Sequence, residues 1–311
     1  MKKTEHTVVK GKRTGIFRLL LPAFKEIKKN DPLRMAGATA FFTTFALPPI
    51  MIILFQVFSL FLNKRLVGRE LRKLIADTLG KDGAAQVLQT ARGFNTLASN
   101  WYIAAGGFLF LIFVATTLFS VIKNSLNEIW NIDVKDRPGF LFNLKLRARS
   151  FAIILVAGIL FLAGIVLDSF ELLAGNYMQS MWSNAGVYFK STLNEIVSAV
   201  IVTAWFIVVF RYLADGRPSW RVAIAGGCLT GILFSVGKEI LSMIMRNSNL
   251  NNVYGASASI VLILLFVFYS SFILYYGASF IKVYAEHRNE PHRLISKAFR
   301  YKVQAVAESE L

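Results

Sequence analysis

The amino-acid sequence predicts an all-α integral membrane protein, with six transmembrane helices in one bundle and amphipathic interfacial segments. Two observations lead there. Of the 311 residues, 55% are hydrophobic, and they gather into runs of the roughly 18 or more apolar residues that a bilayer crossing requires. The 35 Lys and Arg residues are sorted by side between those runs, as cytoplasmic loops demand.

Residues 1–34 form a basic tail. Lys2, Lys3, Lys10, Lys12 and Arg13 look superficially like the start of a secretion signal. The apolar stretch that follows, IFRLLLPAF, is short, carries Arg18 and leads into Lys25, Lys28 and Lys29, with no small-residue cleavage site after it. It reads as an interfacial amphipathic segment.

A membrane domain, 35–283, follows with spans at Met35–Leu62, Trp101–Ile122, Phe151–Leu173, Ile196–Leu213, Val222–Met245 and Ser257–Val283. Backbone groups in lipid must be bonded within their own segment, so these are helices. Pro48-Pro49 stands in the middle of the first, where a kink or break is expected. Around the last, YGAS occurs at Tyr254–Ser257 and again at Tyr276–Ser279. That offset of 22 residues is ~33 Å of helix, close to the ~30 Å hydrocarbon core. Residues 284–311 form a second tail.

The basic tail, the segments 123–149 and 211–221, and the C-terminal tail together with Lys282 just before it hold 25 Lys and Arg residues, against 9 in the other connections. Both termini are therefore expected on the cytoplasmic side of the membrane. A net charge of +17 would also suit a nucleic-acid partner, but its sidedness favours membrane lipids. The single cysteine, Cys228, excludes an intramolecular disulfide.

Two connections have character of their own. In 64–97, Leu66, Leu71, Leu74, Ile75 and Leu79 approximate one helical face, expected on the outer side, away from the cytoplasm. Residues 123–149 mix aromatic and basic residues, as a headgroup-level connector does.

Within the fifth span Ala223, Gly227, Gly231 and Ser235 recur every four residues. Such a stripe lets helices approach closely in lipid, either inside one chain or across a homo-oligomer. It runs on to Lys238 and Glu239. Asp168 and Glu171 lie at similar depth in the third span, and the four are candidates for an intramembrane polar site. They could line a substrate or ion pathway; alternatively Lys238 snorkels outward and pairs with a carboxylate.

Signatures of enzyme chemistry are missing. His6, His287 and His292 lie in the tails, read as solvated, and no set of three or four metal ligands converges in the sequence. There is no phosphate-binding glycine loop. No enzymatic activity, cofactor or metal is expected.

Four stretches carry a resemblance: DPLRMAGATAFFTTFALPP, SLNEIWNI, FRYLADGRPSWRVAIAGG, and VYGASAS with FYSSFILYYGASF. In these the chain resembles the YihY/virulence factor BrkB family, which formerly carried the label ribonuclease BN. The resemblance runs from about Asp31 to Phe280. The matching positions are Ala36, Ala40, Pro48, Asn127, Trp130, Tyr212, Trp220, Gly226, Tyr254, Gly255, Tyr269, Ser270 and Gly277. The chain departs at Ala214, Phe266 and Ser279, where the family often has Pro, Trp and Glu. The resemblance implies a six-span inner-membrane fold and no particular reaction. The functional expectation is a transporter or lipid-handling permease of a small-molecule or lipid substrate. The alternative is a non-transporting envelope protein that binds lipid or partner proteins, and a ribonuclease comes last.

Overall fold

A chain in lipid has no water to satisfy its peptide groups, and this one satisfies them in long helices. The computed structural model describes residues 16–59, scattered positions between 63 and 89, residues 101–134, 156, 159, 160, 185–247, 258–294 and 298–301. A turn of 3-10 helix, Ile16–Leu19, leads into α1 (Leu20–Lys28). Five long helices follow: α2 (Pro32–Ser59), α3 (Trp101–Ile129), α4 (Ala185–Tyr212), α5 (Trp220–Asn247) and α6 (Ala258–His287). At 28 to 30 residues each they reach ~42–45 Å, more than a hydrocarbon core.

By length and composition, the windows Glu195–Tyr212, Trp220–Leu241 and Val261–His287 are suited to cross a membrane. The long helices coincide with the expected first, second, fourth, fifth and sixth spans. The third, Phe151–Leu173, lies outside the described residues except for 156, 159 and 160.

Helix α6 is the hub. Helices α1, α2, α3 and α5 all pack on it, and α4 packs on α5. The core gathers Met35 of α2, Leu126 and Ile129 of α3, Phe206 and Phe210 of α4, Val222 of α5 and Tyr275 and Ile281 of α6. Close approach needs small residues. A Cβ on Gly227 or Gly231 would collide with Ile207 or Thr203 of α4, and one on Gly226 with Ile281 of α6. Adjacent glycines point ~100° apart on a helix, so Gly226 and Gly227 admit α6 and α4 respectively.

Local chemistry sets the ends. Pro32 opens α2 at the position where its missing N–H costs nothing. Asn131 and Asn289 take the left-handed conformation after α3 and α6, with φ of 54° and 53°, which asparagine tolerates. After α6 the Glu290 N–H bonds the Ala285 carbonyl and the Asn289 N–H bonds that of Glu286, closing the helix before Pro291.

Three expectations are corrected. The break allowed for at Pro48-Pro49 does not occur, and α2 runs through both prolines as one helix. Two prolines cancel only the bonds to the Thr44 and Phe45 carbonyls, and the rest of a 28-residue helix holds across that gap. The chain is also not purely helical. Strand β1 (Ile132–Val134) pairs antiparallel with β4 (Ala298–Arg300), and β2 (Gly216–Arg217) with β3 (Arg293–Leu294). The C-terminal tail therefore folds back onto the connections after α3 and α4, and His292 within it is 6% exposed, not solvated. Described positions in 65–89 are helical, and Ala76, Ala84 and Leu88 pack with Ala40, Leu47, Ile263 and Val267. Small alanines let this segment pack against α2 and α6.

Candidate functional site

Helix α1, the start of α2, the ends of α3, α4 and α6 and both ribbons meet at one end of the bundle, the near face. Charges that apolar helices exclude collect there. Lys123 and Asn127 lie four residues apart on one face of α3. The Lys123 ammonium is 2.8 Å from an Asp215 oxygen. Asn127 donates to the same carboxylate at 2.8 Å and accepts from the Asp215 N–H at 2.9 Å. One turn further along, the Trp130 indole N–H donates to the Ala278 carbonyl of α6 at 2.9 Å. This side of α3 thereby ties α4 and α6 together.

Beyond Trp130 lies a cavity of about 1030 Å³. Its walls come from the end of α1 (Glu26, Lys29), the turn after α3 (Trp130, Asn131), the last turns of α6 (Lys282, Glu286) and the C-terminal segment (His292, Arg300, Tyr301). Lys282 donates to Glu26 at 2.6 Å and to the Asn131 side-chain oxygen, and Lys29 donates to Glu26 at 2.7 Å. Burial would raise the Glu26 carboxyl, but the bonds from Lys282 and Lys29 together hold it below the ordinary carboxylate value. His292 stacks on Trp130 with centroids 4.6 Å apart and accepts from Arg300 at 3.1 Å through Nδ1. Burial, then the charges of Arg300 and Lys282, push its pKa down to about 3, so the ring is neutral.

The sequence-derived candidates fall elsewhere. Lys238 is half-buried and Glu239 exposed on α5, and neither forms an ion pair with another described residue. Asp168, Glu171, Tyr254 and Gly255 lie outside the described residues. Ala223, Gly227 and Gly231 are buried, and the half-buried Ser235 donates to the Gly231 carbonyl at 3.0 Å. Among the family positions, Tyr212 meets Trp220 edge-on at 6.2 Å, with Arg211 over the same indole. Tyr269 donates to the Leu233 carbonyl at 3.2 Å. Gly277 lies against Thr230 of α5. Ala36 and Ala40 are buried, Ser270 bonds the Phe266 carbonyl, and Pro48 contributes to the backbone of α2. Of the named positions that the structure describes, Asn127 and Trp130 belong to the near-face site. Lys123 was legible as their partner at i−4 and i−7; Asp215, Glu26, Lys282, His292 and Arg300 carry no periodic signal.

A family model described as Virulence factor BrkB matches residues 23–300. The chain is 25% identical over 263 residues to a UPF0761 membrane protein of Saccharophagus degradans, covering 85% of this chain and 58% of the relative. It is 28% identical over 264 residues to one of Teredinibacter turnerae, covering 85% and 59%. With one of Aggregatibacter aphrophilus it shares 26% over 270 residues, covering 86% and 92%. The chain thus spans about three fifths of the first two relatives and nearly all of the third. No solved structure matches it significantly.

Proposed function

The chain belongs to the virulence factor BrkB family, and from that premise we propose that it is a polytopic inner-membrane transporter or lipid-handling permease. The observation that carries this reading is the near-face cavity. About 1030 Å³ of polar-walled space is set into the end of a bundle whose flanks expose Phe41, Phe45, Phe110 and Ile232. Charged walls beside a bilayer are costly, and they mark pathways and binding sites more often than anchors.

Six spans with both termini cytoplasmic suit the same geometry. Helices α3 and α4 both end at the near face, and α4 begins ~42 Å away. That pair of end points is what the six-span reading expects. The near face also carries the richer share of Lys and Arg. The second reading, a non-transporting envelope protein that binds lipid or a partner, is favoured by the two ribbons that knit the near face together. Ribonuclease chemistry would need activated water and neutralised phosphate charge, and we propose no enzymatic role.

Reconstitution into liposomes, with analysis of copurifying lipids and metabolites, separates these readings. The expected result is protein-dependent flux of a copurifying compound. Binding without flux would leave the second reading in place of the first.

A further inference from the structure

We propose that the near-face cavity binds one singly charged phosphate group, of a lipid headgroup or of a soluble phosphodiester, between Lys29 and Arg300. The fold itself accounts for Lys282. Helices α1, α3 and α6 all end here, their carbonyl ends carry partial negative charge, and this ammonium is already shared between Glu26 and Asn131. The other donors are not used up. The Lys29 side chain is 70% exposed in its pair with Glu26, a setting in which ion pairs are weak and exchangeable. Arg300 has five N–H donors, of which one goes to His292.

That bond also fixes the imidazole. A guanidinium only donates, so Nδ1 of the neutral ring must accept, and the ring proton resides on Nε2. His292 Nε2 is buried without a partner among the described residues, so the ring is held by its bond to Arg300 and its contact with Trp130. An ammonium and a guanidinium on the walls of one cavity call for a ligand with several acceptor oxygens and negative charge.

The balance of charge narrows the class. Glu26 is held by two lysines, and Glu286 is a wall residue with no ion pair among the described residues. Three cationic walls against two acidic ones suit a monoanion such as a phosphodiester over a multiply charged phosphate. Location favours a lipid source. Next to the cavity, α1 and the 3-10 turn before it hold Phe17, Leu21 and Phe24 outward beside exposed Lys25 and Lys28, the pattern of a helix lying at headgroup depth.

This rests on the reading of a membrane-embedded transporter or lipid-handling protein, but it is tested at equilibrium without flux. The full chain in detergent is titrated with dioleoylphosphatidylglycerol, with dioleoylglycerol (the same tails without phosphate) and with inorganic phosphate, by native mass spectrometry. Phosphatidylglycerol is expected to bind and dioleoylglycerol not. Lys29→Gln with Arg300→Gln should weaken binding about tenfold or more, whereas Arg217→Gln with Arg293→Gln, off the cavity wall, should leave it within about threefold. Inorganic phosphate binding with the same loss would keep the site and assign it a soluble source. Equal binding of both lipids, binding of neither phosphate compound, or full binding by the folded Lys29/Arg300 variant would overturn it. The lipid pair tests the unmodified chain, so the result does not depend on the variants folding. Flux without phosphate-dependent binding sinks this site alone; binding without flux sinks transport alone.

Discussion

Lys123 and Asp215 form an ion pair 2.8 Å long with side chains 6% and 1% exposed. Asn127 bonds the same carboxylate and the Asp215 backbone, so α3 is fixed to the turn after α4. Removing one charge strands the other, at a cost of ~3–5 kcal/mol for a buried pair. Asp215→Asn and Lys123→Met should each lower the melting temperature in detergent, and the double variant should regain part of the loss. Unchanged melting in both single variants would show the pair to be solvated.

His292 gives the near face a pH dependence. The folded chain keeps it neutral down to about pH 3, whereas in the unfolded chain it protonates near 6.5. The unfolded state thus binds more protons in that window, so stability is full above about 6.5 and declines as pH falls toward 3. The slope approaches ~1.4 kcal/mol per pH unit. His292→Gln should flatten the melting profile between pH 6.5 and 4.5, a range above most of the titration of Glu26. The same acid slope in the variant would remove His292 as its source.

Gly277 allows α6 to touch α5, because a Cβ there would collide with Thr230 Oγ1. Gly277→Ala should destabilise the chain by ~1–3 kcal/mol, as overpacking does. Thr230→Ala should restore part of that in the double variant. Thermal unfolding of the four proteins in detergent gives the coupling, and simple additivity would place the contact elsewhere.

Sidedness can be read in a Cys228→Ser background. A cysteine at Ser248 should react with an impermeant maleimide from outside intact cells. One at Ser309 should react only after permeabilisation. The reverse pattern would invert the orientation.

Lys238 and Glu239 point ~100° apart on α5, and Glu239 is exposed, so they are not each other's buried partners. Glu239→Gln should therefore leave detergent stability within ~0.5 kcal/mol. If the position lines an outward pathway, flux in liposomes should fall at unchanged abundance. Normal flux would make it a solvated interfacial residue.

The long helices are legible in the sequence because lipid imposes a simple rule, and apolar length reports it directly. The near-face site is not, because its chemistry is assembled from distant ends. Lys123, Asn127 and Trp130 share a helical face and are readable as one stripe. Asp215 stands in a turn, where periodicity is silent. His292 and Arg300 are brought in by ribbons of two and three residue pairs, too short for strand alternation to register. Lys238 and Glu239 draw attention because charge inside an apolar run is conspicuous, whereas Lys282 resembles an ordinary boundary lysine.

The ribbons also impose an order on biogenesis. Residues 293–300 leave the ribosome after every described helix, yet they supply the pairing edges for the connections after α3 and α4, and His292 just before them supplies the ring that covers Trp130. Insertion into the bilayer can run to completion while the near face is still unfinished. Its closure waits until that stretch emerges, so a nascent chain halted before Arg288 presents an uncovered indole and unpaired strand edges to the quality-control proteases of the cell.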